Sequence, residues 1–234
     1  MLTALIHLAR WRALSLGLAA LVTVTLAGCA TVWCPPLDEL SSLAQAGDAE
    51  AQYNLGESYD HGYGVAQNSQ EALFWYRKAA EQGYADAQLY LGWMYDTGTG
   101  VTQDYNQAVD WFRKAAEQGN IYAQYNLGLM YEAGHGVTQD YGQAAQWYHK
   151  AADGGDADAQ NGLGAIYANG KGVTQDYNQA AAWFLKAAEQ GNDTARNNLG
   201  LIYNNDHDLA WFLNLAQQGN AIAQNNLGMM YQNG

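Results

Sequence analysis

A repeat of 36 residues constrains this chain of 234 residues more than any other feature of its sequence. The copies run over 47–82, 83–118, 119–154, 155–190, a shortened 191–218 and a half copy at 219–234. Because a repeat array grows by stacking each unit on its neighbours, it has no single globular core. The sequence therefore predicts one extended array over residues 47–234.

Each copy begins with a segment that predicts an amphipathic helix. In the copy at 83–118, Ala87, Leu91 and Tyr95 recur at i, i+4 and i+8, so they share one helical face. Gly92 follows Leu91, although glycine inside a helix costs about 1 kcal/mol relative to alanine. Equivalent glycines are Gly56, Gly128, Gly164, Gly200 and Gly228. A cost accepted in every copy predicts close helix packing at this position and not a ligand site.

A glycine-rich loop at 97–101 leads to the second helix of the same copy. Asp104, with Gln107 three residues later, matches a capping box, in which the two side chains satisfy each other's backbone amides. We expect Ala108 and Trp111 to lie on the buried stripe of this helix. A lysine follows in the last turn of each second helix, where a cation complements the helix dipole. These lysines are Lys78, Lys114, Lys150 and Lys186.

Residues 1–28 have the features of a secretory signal, with Arg10 and Arg12 followed by an apolar run. The run ends in Leu-Ala-Gly before Cys29, which resembles the lipobox of bacterial lipoproteins, where the cysteine is acylated and begins the mature chain. The resemblance implies lipidation of Cys29 and a membrane contact through this lipid. Ala30, in place of aspartate, favours the outer membrane of a Gram-negative bacterium, with the protein facing the periplasm. The alternative is an uncleaved anchor, since the apolar run could span a bilayer.

A tether at 29–36 and a short helix at 37–46 separate the lipid site from the first full repeat. Leu37, Leu40, Leu43 and Ala44 are spaced to share one face of this helix. It aligns with the end of a second helix, so we expect it to cap the array.

The repeated pattern A-x-x-x-L-G-x-x-Y-x-x-G-x-G-V-x-x-D, followed by A-x-x-W and A-A, resembles the Sel1-like repeat of the tetratricopeptide-type solenoids. The resemblance implies an all-α, right-handed superhelical solenoid of antiparallel helix pairs, with the first helices on its concave side. Family members are mostly adaptors that hold other proteins, often in the bacterial envelope. The chain is accordingly expected to be a protein–protein interaction scaffold that binds its partner on the concave face.

Positions of the first helix that differ between copies are the candidates for partner recognition. Trp93 is the sharpest of them, because no other copy has an aromatic residue there. Aromatic side chains suit interface anchors, and asparagines suit recognition of a peptide backbone. The alternative is that Trp93 packs against the next repeat. The candidate residues are Tyr53, Glu57, Tyr90, Trp93, Tyr125, Asn126, Asn161, Asn197 and Asn198.

Composition and motifs disfavour several other functions. The net charge of -13 argues against nucleic acid, whose phosphates need a basic face. The acidity favours either a basic partner or simple solubility. No motif of a nucleophile with its base or of a metal site occurs, so we expect no catalytic residue, metal or cofactor, and a penicillin-acting hydrolase is disfavoured. The remaining alternative is a structural part of envelope or exopolysaccharide machinery, with the aromatic residues contacting glycans.

The fifth copy departs from the pattern, because the loop between its two helices is missing between Tyr203 and Trp211. We expect a local change of superhelical pitch there. The sequence stops at Gly234, where a first helix would end. Either this helix caps the array or the sequence is truncated there. Leu227 and Met230 are expected to be exposed and would be poor cap residues, which favours truncation or a partner that docks at this end.

Overall fold

The computed structural model describes residues 36–204, 213–214, 216–224 and 227–228, without the side chains of residues 203 and 204. Ten helices and no strand occupy the continuous part, residues 36–204. They are α1 Leu37–Gln45, α2 Ala49–His61, α3 Ser69–Glu81, α4 Ala85–Thr97, α5 Tyr105–Glu117, α6 Ile121–Ala133, α7 Tyr141–Asp153, α8 Ala157–Asn169, α9 Tyr177–Glu189 and α10 Asp193–Asn204. The signal segment, Cys29, the shortened segment at 205–212 and Met230 lie outside the described residues.

The helices pack in chain order, each mainly on the one before and the one after it. Consecutive helices are joined by short loops and therefore form antiparallel pairs. This arrangement confirms the predicted all-helical solenoid. Helix α1 covers α2, as expected of a cap, and buries Leu40 and Ala44. The prediction for Leu43 is wrong, because the face that α1 turns to α2 is centred on Leu40 and Ala44 and leaves 43% of Leu43 exposed. Leu227 is also not exposed as expected, since only 9% of its surface is accessible.

The loop between the two helices of a repeat needs its two glycines for different reasons. Gly98 ends α4 in the left-handed conformation, with φ 76°. Gly100 has φ 71° and lies against the start of α3, where an added Cβ would stand 2.6 Å from the carbonyl oxygen of Ser69. The loop of one repeat therefore packs on the second helix of the repeat before it.

The predicted capping box is only half formed. The side chain of Asp104 accepts hydrogen bonds from the backbone amides of Asn106 (3.0 Å) and Gln107 (3.2 Å), as expected. The backbone amide of Asp104 donates to the carbonyl oxygen of Tyr95 at 2.9 Å and not to the Gln107 side chain. This bond ties the start of α5 to the last turn of α4 and replaces the reciprocal half of the motif.

Close packing of the two helices confirms the prediction for the glycine that follows the leucine in each of the first four repeats. An added Cβ on Gly200 or Gly228 would meet no described atom within 4 Å, so the prediction is not confirmed there. An added Cβ on Gly92 would lie 2.7 Å from Cδ1 of Phe112, whose side chain is fully buried. The described pairs of this kind are Gly56–Tyr76, Gly92–Phe112, Gly128–Tyr148 and Gly164–Phe184. The prediction for Trp111 was too simple, because Phe112 beside it is the core residue of the repeat. Trp111 is partly exposed and packs against the cluster that α3 of the preceding repeat forms with α4 of its own repeat. Its equivalents Trp75 and Trp183 are buried, as expected, with 8% and 9% of their surface accessible.

Each lysine in the last turn of a second helix also has a partner that the sequence analysis missed. The Lys114 ammonium lies 3.7 Å from the centre of the Trp111 ring. Corresponding distances are 3.8 Å for Lys150 over Trp147 and 3.9 Å for Lys186 over Trp183. Cation–π attraction therefore holds these lysines on the second-helix side of the array.

Buried glutamines fix the position of each first helix. Gln88 donates to the carbonyl oxygen of Ala80 on α3 at 3.1 Å and accepts from Gln118 on α5 at 2.7 Å. Gln52 and Gln160 make the same two bonds in their own repeats. A first helix is thus locked to the second helices on both sides, and its outward side chains are presented from a rigid base.

Candidate functional site

The candidate residues lie on the first helices, and the solenoid brings several of them together across repeat boundaries. We call the surface formed by these residues on α2, α4, α6, α8 and α10 the first-helix face. The ring centres of Tyr53 and Tyr90 are 5.8 Å apart, and Asn198 donates to the side-chain oxygen of Asn161 at 3.0 Å. In both cases the residue equivalent to Tyr53 in one repeat contacts the residue equivalent to Asn54 in the next repeat. Neighbouring repeats therefore form a shared surface.

An aromatic cluster occupies the boundary between the first two repeats. Tyr53 is 9% exposed, and its hydroxyl donates to Glu57 Oε1 at 2.7 Å. Its ring lies 5.7 Å from that of Tyr76 and 5.2 Å from that of Tyr84. Tyr90 stacks on Tyr76 at 5.3 Å with an angle of 15° between the rings. Tyr53 is thus mainly a packing residue that holds Glu57, whereas Tyr90 is half-buried and reaches the surface.

Trp93 is exposed on the neighbouring turn of α4. Its accessible fraction is 42%, and it belongs to none of the core clusters of the described residues. The equivalent positions in two other copies are also exposed and apolar, with Leu129 at 38% and Leu201 at 61%. Glu57 stands at this position in the first repeat. The packing alternative for Trp93 therefore finds no support in the described array, and an apolar row crosses the first-helix face.

The candidates of the later repeats form a more polar surface. Tyr125 is half-buried, with its ring 5.7 Å from that of Tyr148. Asn126 turns its amide back to the carbonyl oxygen of Tyr122 at 2.8 Å. Asn197 is exposed, next to the Asn161–Asn198 pair. The side chains at 161, 197 and 198 thus offer amide groups where the first repeats offer rings.

Charge is segregated between the two sides of the array. Helices α2, α4, α6 and α8 contain no lysine or arginine. They carry the carboxylates Glu50, Glu57, Asp60, Asp86, Asp96, Glu132 and Asp158. Burial raises the pKa of Asp60 and of Asp96, an effect that the nearby His61 and His135 partly oppose. Acidic side chains also occur on α3, α5, α7 and α9, so the two sides differ in their basic residues. The lysines and arginines from α2 to α9 lie on the second helices or in the loop of Lys171, which the residue counts of the whole chain do not show.

A tyrosine of the second helix and a carboxylate of the first helix occur at equivalent positions in the first and third repeats, but they are hydrogen-bonded only in the third. In the third repeat, the Tyr148 hydroxyl donates to Glu132 Oε2 at 2.6 Å. The equivalent pair in the first repeat is Tyr76 and Asp60, which is one methylene shorter. The Tyr76 hydroxyl is fully buried and has no hydrogen-bond partner in the described part of the chain. Sequence reasoning missed this pair, although aligning the copies places Asp60 opposite Glu132.

The repeats match a known family at every full copy. The Sel1 repeat model matches residues 49–84, 85–120, 121–156, 157–192 and 221–234, which is more than half of the sequence. The chain belongs to the Sel1 repeat family. Sel1 repeat proteins generally act as scaffolds that bind protein partners and are typically not catalytic. No curated protein sequence matches this Sel1 repeat chain significantly.

Two solved structures resemble this Sel1 repeat chain closely. A protective antigen present in uropathogenic Escherichia coli strains, with an SLR fold, is 40% identical over 85% of this chain and 44% of its own length, with a TM-score of 0.74. A Sel1 repeat protein from Oxalobacter formigenes is 40% identical over 71% of this chain and 66% of its own length, with a TM-score of 0.65. The chain thus spans less than two thirds of either protein, and the likeness establishes the solenoid.

The described Sel1 repeats contain no group of His, Cys, Asp and Glu side chains that could hold a metal ion. Within the same residues, no helix is long and apolar enough to cross a membrane. The first-helix face presents exposed apolar side chains, half-buried tyrosine rings, amides and carboxylates, which are groups that suit recognition of a partner.

Proposed function

We propose that this Sel1 repeat protein is an adaptor of the cell envelope that holds a protein partner along the concave, first-helix face of its solenoid. The observation that carries the proposal is the exposure of Trp93, with 42% of its surface accessible on a helix that Gln88 bonds to both neighbouring second helices. Tryptophan is enriched among the residues that contribute most to protein interfaces, because it buries a large apolar area on binding. Trp93 would be the anchor of the contact.

The neighbours of Trp93 support this role. Tyr90 is held in place by its stack on Tyr76, and Glu57 is held by the Tyr53 hydroxyl, so both lose little freedom when a partner binds. Asn197, Asn161 and Asn198 would hydrogen-bond the backbone of an extended partner segment further along the face. The contact would then run from an aromatic anchor in the first repeats to amide groups in the fourth and fifth.

Affinity capture from envelope extract with the full chain tests the proposal. The Trp93→Ala variant should lose the bound protein, with a cost of about 2 kcal/mol or more for an anchor residue. Phe74→Ala is the matched control, since Phe74 is 46% exposed but lies on the second helix α3. A folded Trp93→Ala variant that captures its partner undiminished would refute the anchor. Binding to a glycan array with no captured protein would instead support contact with glycans, since a tryptophan ring also stacks on sugars.

The envelope location rests on the lipobox-like segment before Cys29. We infer that Cys29 is lipidated and that the lipid holds the chain at the outer membrane, facing the periplasm. Metabolic labelling with palmitate should mark the wild-type protein, and globomycin should block its processing. A Cys29→Ser chain that is processed normally would contradict the lipoprotein interpretation.

A further inference from the structure

The first-helix face combines negative charge with aromatic rings, and this combination is specific in what it can bind. Because α2, α4, α6 and α8 carry seven carboxylates and no lysine or arginine, a bound cation meets no repulsion from these helices. The described lysines and Arg77 and Arg113 lie on the second helices or in the loop that contains Lys171. Arg196 lies on α10, at the end of the first-helix face, and pairs with Asp193 at 2.6 Å. Phosphate-rich partners such as nucleic acids or anionic lipid surfaces would be repelled by the part of the face that α2, α4, α6 and α8 form.

On this face, Asp60 and Glu132 occupy the same position of the repeat but differ in their hydrogen bonding. Glu132 accepts the Tyr148 hydroxyl at 2.6 Å, whereas Asp60 is too short to serve Tyr76 in the same way. A buried hydroxyl without a partner costs about 1–3 kcal/mol, so the first repeat gives up stability at this point. The equivalence to Tyr148 and Glu132 places Asp60 opposite the Tyr76 hydroxyl. Glu57 is held nearby by the Tyr53 hydroxyl, and the Tyr53 ring lies 5.7 Å from that of Tyr76. Burial, and then the charges of Asp60 and Glu57, raise the pKa of the Tyr76 hydroxyl.

We propose that the partner of the first-helix face is a basic polypeptide segment, and that one of its lysine or arginine side chains binds between Asp60 and Glu57, with the Tyr76 hydroxyl as a further acceptor. This inference rests on the proposed function, because it names the chemistry of the partner held by the same face. The bound cation donates a hydrogen bond to the Tyr76 hydroxyl oxygen, which has no partner in the described part of the chain, and offsets the charges of Asp60 and Glu57.

The surroundings of Asp60 suit a cation and identify how it enters. His61 is the nearest basic group, with Nδ1 3.9 Å from Asp60 Oδ2, and it is exposed. Tyr63 is 62% exposed and stacks on His61 at 5.2 Å. The Tyr76 hydroxyl is fully buried, so binding requires a neighbouring side chain to move, and we assign this movement to the exposed Tyr63. Tyrosine ring faces then attract the cation, as the tryptophan rings attract lysines on the other side of the array.

Asp60→Glu is the most informative variant, because it keeps the charge but copies Glu132. The longer side chain should reach the Tyr76 hydroxyl and occupy the place of the ligand. The probe is a fluorescent synthetic peptide of alternating lysine and glycine, with a glutamine–glycine peptide as its uncharged match, added to the full chain in detergent. We expect the wild-type chain to bind the lysine peptide more tightly than the glutamine peptide.

Both Asp60→Glu and Asp60→Asn should weaken binding of the lysine peptide by about ten-fold, the factor that corresponds to one charge-assisted hydrogen bond. Glu117→Gln, which removes an exposed carboxylate from the second helix α5, should change it by less than about two-fold. Equal effects of Asp60→Asn and Glu117→Gln would mean that only the overall charge attracts the peptide. Unchanged binding by Asp60→Glu would exclude the site beside Tyr76. Either result overturns the proposal.

Carbodiimide crosslinking locates the contact directly. The reagent joins a lysine amine to a carboxylate as an amide and takes up the released water as a urea, so only touching groups react. We expect Asp60 or Glu57 in the crosslinked fragment, and crosslinks confined to Glu81 and Glu117 would overturn the proposal.

The two proposals fail separately. If Trp93→Ala loses the captured protein and the Asp60 variants do not, the adaptor function stands and the cation site falls. If the lysine peptide crosslinks to Asp60 but the Trp93→Ala variant captures as much protein as the wild type, the cation site stands and the adaptor function falls.

Discussion

One methylene group decides how a single carboxylate is used in two equivalent repeats. Glu132 reaches the Tyr148 hydroxyl, and Asp60 does not reach that of Tyr76. Phe112 and Phe184 occupy the same core position in the second and fourth repeats and bring no hydroxyl. The repeat therefore needs only the ring at this position, and the hydroxyls of Tyr76 and Tyr148 have individual roles.

Replacement of each tyrosine by phenylalanine separates these roles. Tyr148→Phe should lower the free energy of unfolding by about 1.5 kcal/mol, because it removes a hydrogen bond to a charged group. Tyr76→Phe should leave the stability unchanged or raise it, because it removes a buried hydroxyl that has no partner. Urea denaturation followed by circular dichroism measures both. Equal losses in the two variants would show that Tyr76 is hydrogen-bonded in solution.

Alanine in place of glycine distinguishes packing from helix propensity. Gly92→Ala should destabilise the protein by about 1–3 kcal/mol, because the new methyl group would overlap the Phe112 ring and the backbone would have to shift. Gly142→Ala is the matched control in the first turn of α7, where two other repeats have asparagine and the first has glutamine, and it should gain up to about 1 kcal/mol. Thermal unfolding of the two variants compares them. A stabilised Gly92→Ala protein would contradict the close approach of α4 and α5.

At the scale of the helix, the start of each second helix depends on one side chain and one backbone bond. Asp104→Ala should cost about 1 kcal/mol, because the amides of Asn106 and Gln107 lose their acceptor. Gln107→Ala should cost much less, since the Asp104 amide already donates to Tyr95. A full capping box would make both substitutions costly. Comparable losses of stability in urea would therefore show that the reciprocal bond forms.

Helix positions were predictable from the sequence because the residues that begin and end a helix recur in each full copy. The start of α4 at Ala85, its end before Gly98 and the N-cap at Asp104 all agree with the structure. The aromatic residue in the core was not predictable in the same way, since Trp111 and Phe112 are adjacent and spacing alone favours either. The contact with Gly92 shows that Phe112 packs between α4 and α5, whereas Trp111 packs on the cluster that α3 and α4 form.

The candidate site was predictable as a set of positions but not as a set of roles. The positions that differ between copies do lie on the first helices, as expected. Burial then separates Tyr53, which packs, from Trp93, which is exposed. Hydrogen bonds separate Asn126, which turns to its own helix, from the Asn161–Asn198 pair. These differences depend on neighbouring repeats, so no pattern within one copy contains them.

At the scale of the molecule, the chemistry of the array changes from its first repeats to its fourth. The tyrosines whose pKa is raised by burial lie on α2 to α7 or just before α4, and they are Tyr53, Tyr76, Tyr84, Tyr90, Tyr125 and Tyr148. In the fourth repeat, Phe184 replaces the core tyrosine and Gly162 replaces Tyr90. Because a solenoid is stabilised by nearest-neighbour contacts, such a gradient makes its two halves respond differently to the same condition.

High pH should therefore unfold the earlier repeats first. The pKa of Tyr84, Tyr90 and Tyr125 is raised to about 12, above the ordinary value near 10, so the folded state holds these protons more tightly than the unfolded state. The stability that they contribute is fully present below about pH 10 and is lost as the pH rises through about 12.

Limited proteolysis across this range should cut within residues 47–154 before it cuts within α8 and α9, while tyrosinate absorbance rises together with unfolding. A variant with both Tyr76→Phe and Tyr148→Phe should unfold at a higher pH, because it has two fewer buried hydroxyls to ionise. Tyrosinate absorbance that rises fully near pH 10 while the helical signal persists would contradict this account, since it would mean that the rings ionise without opening the repeats.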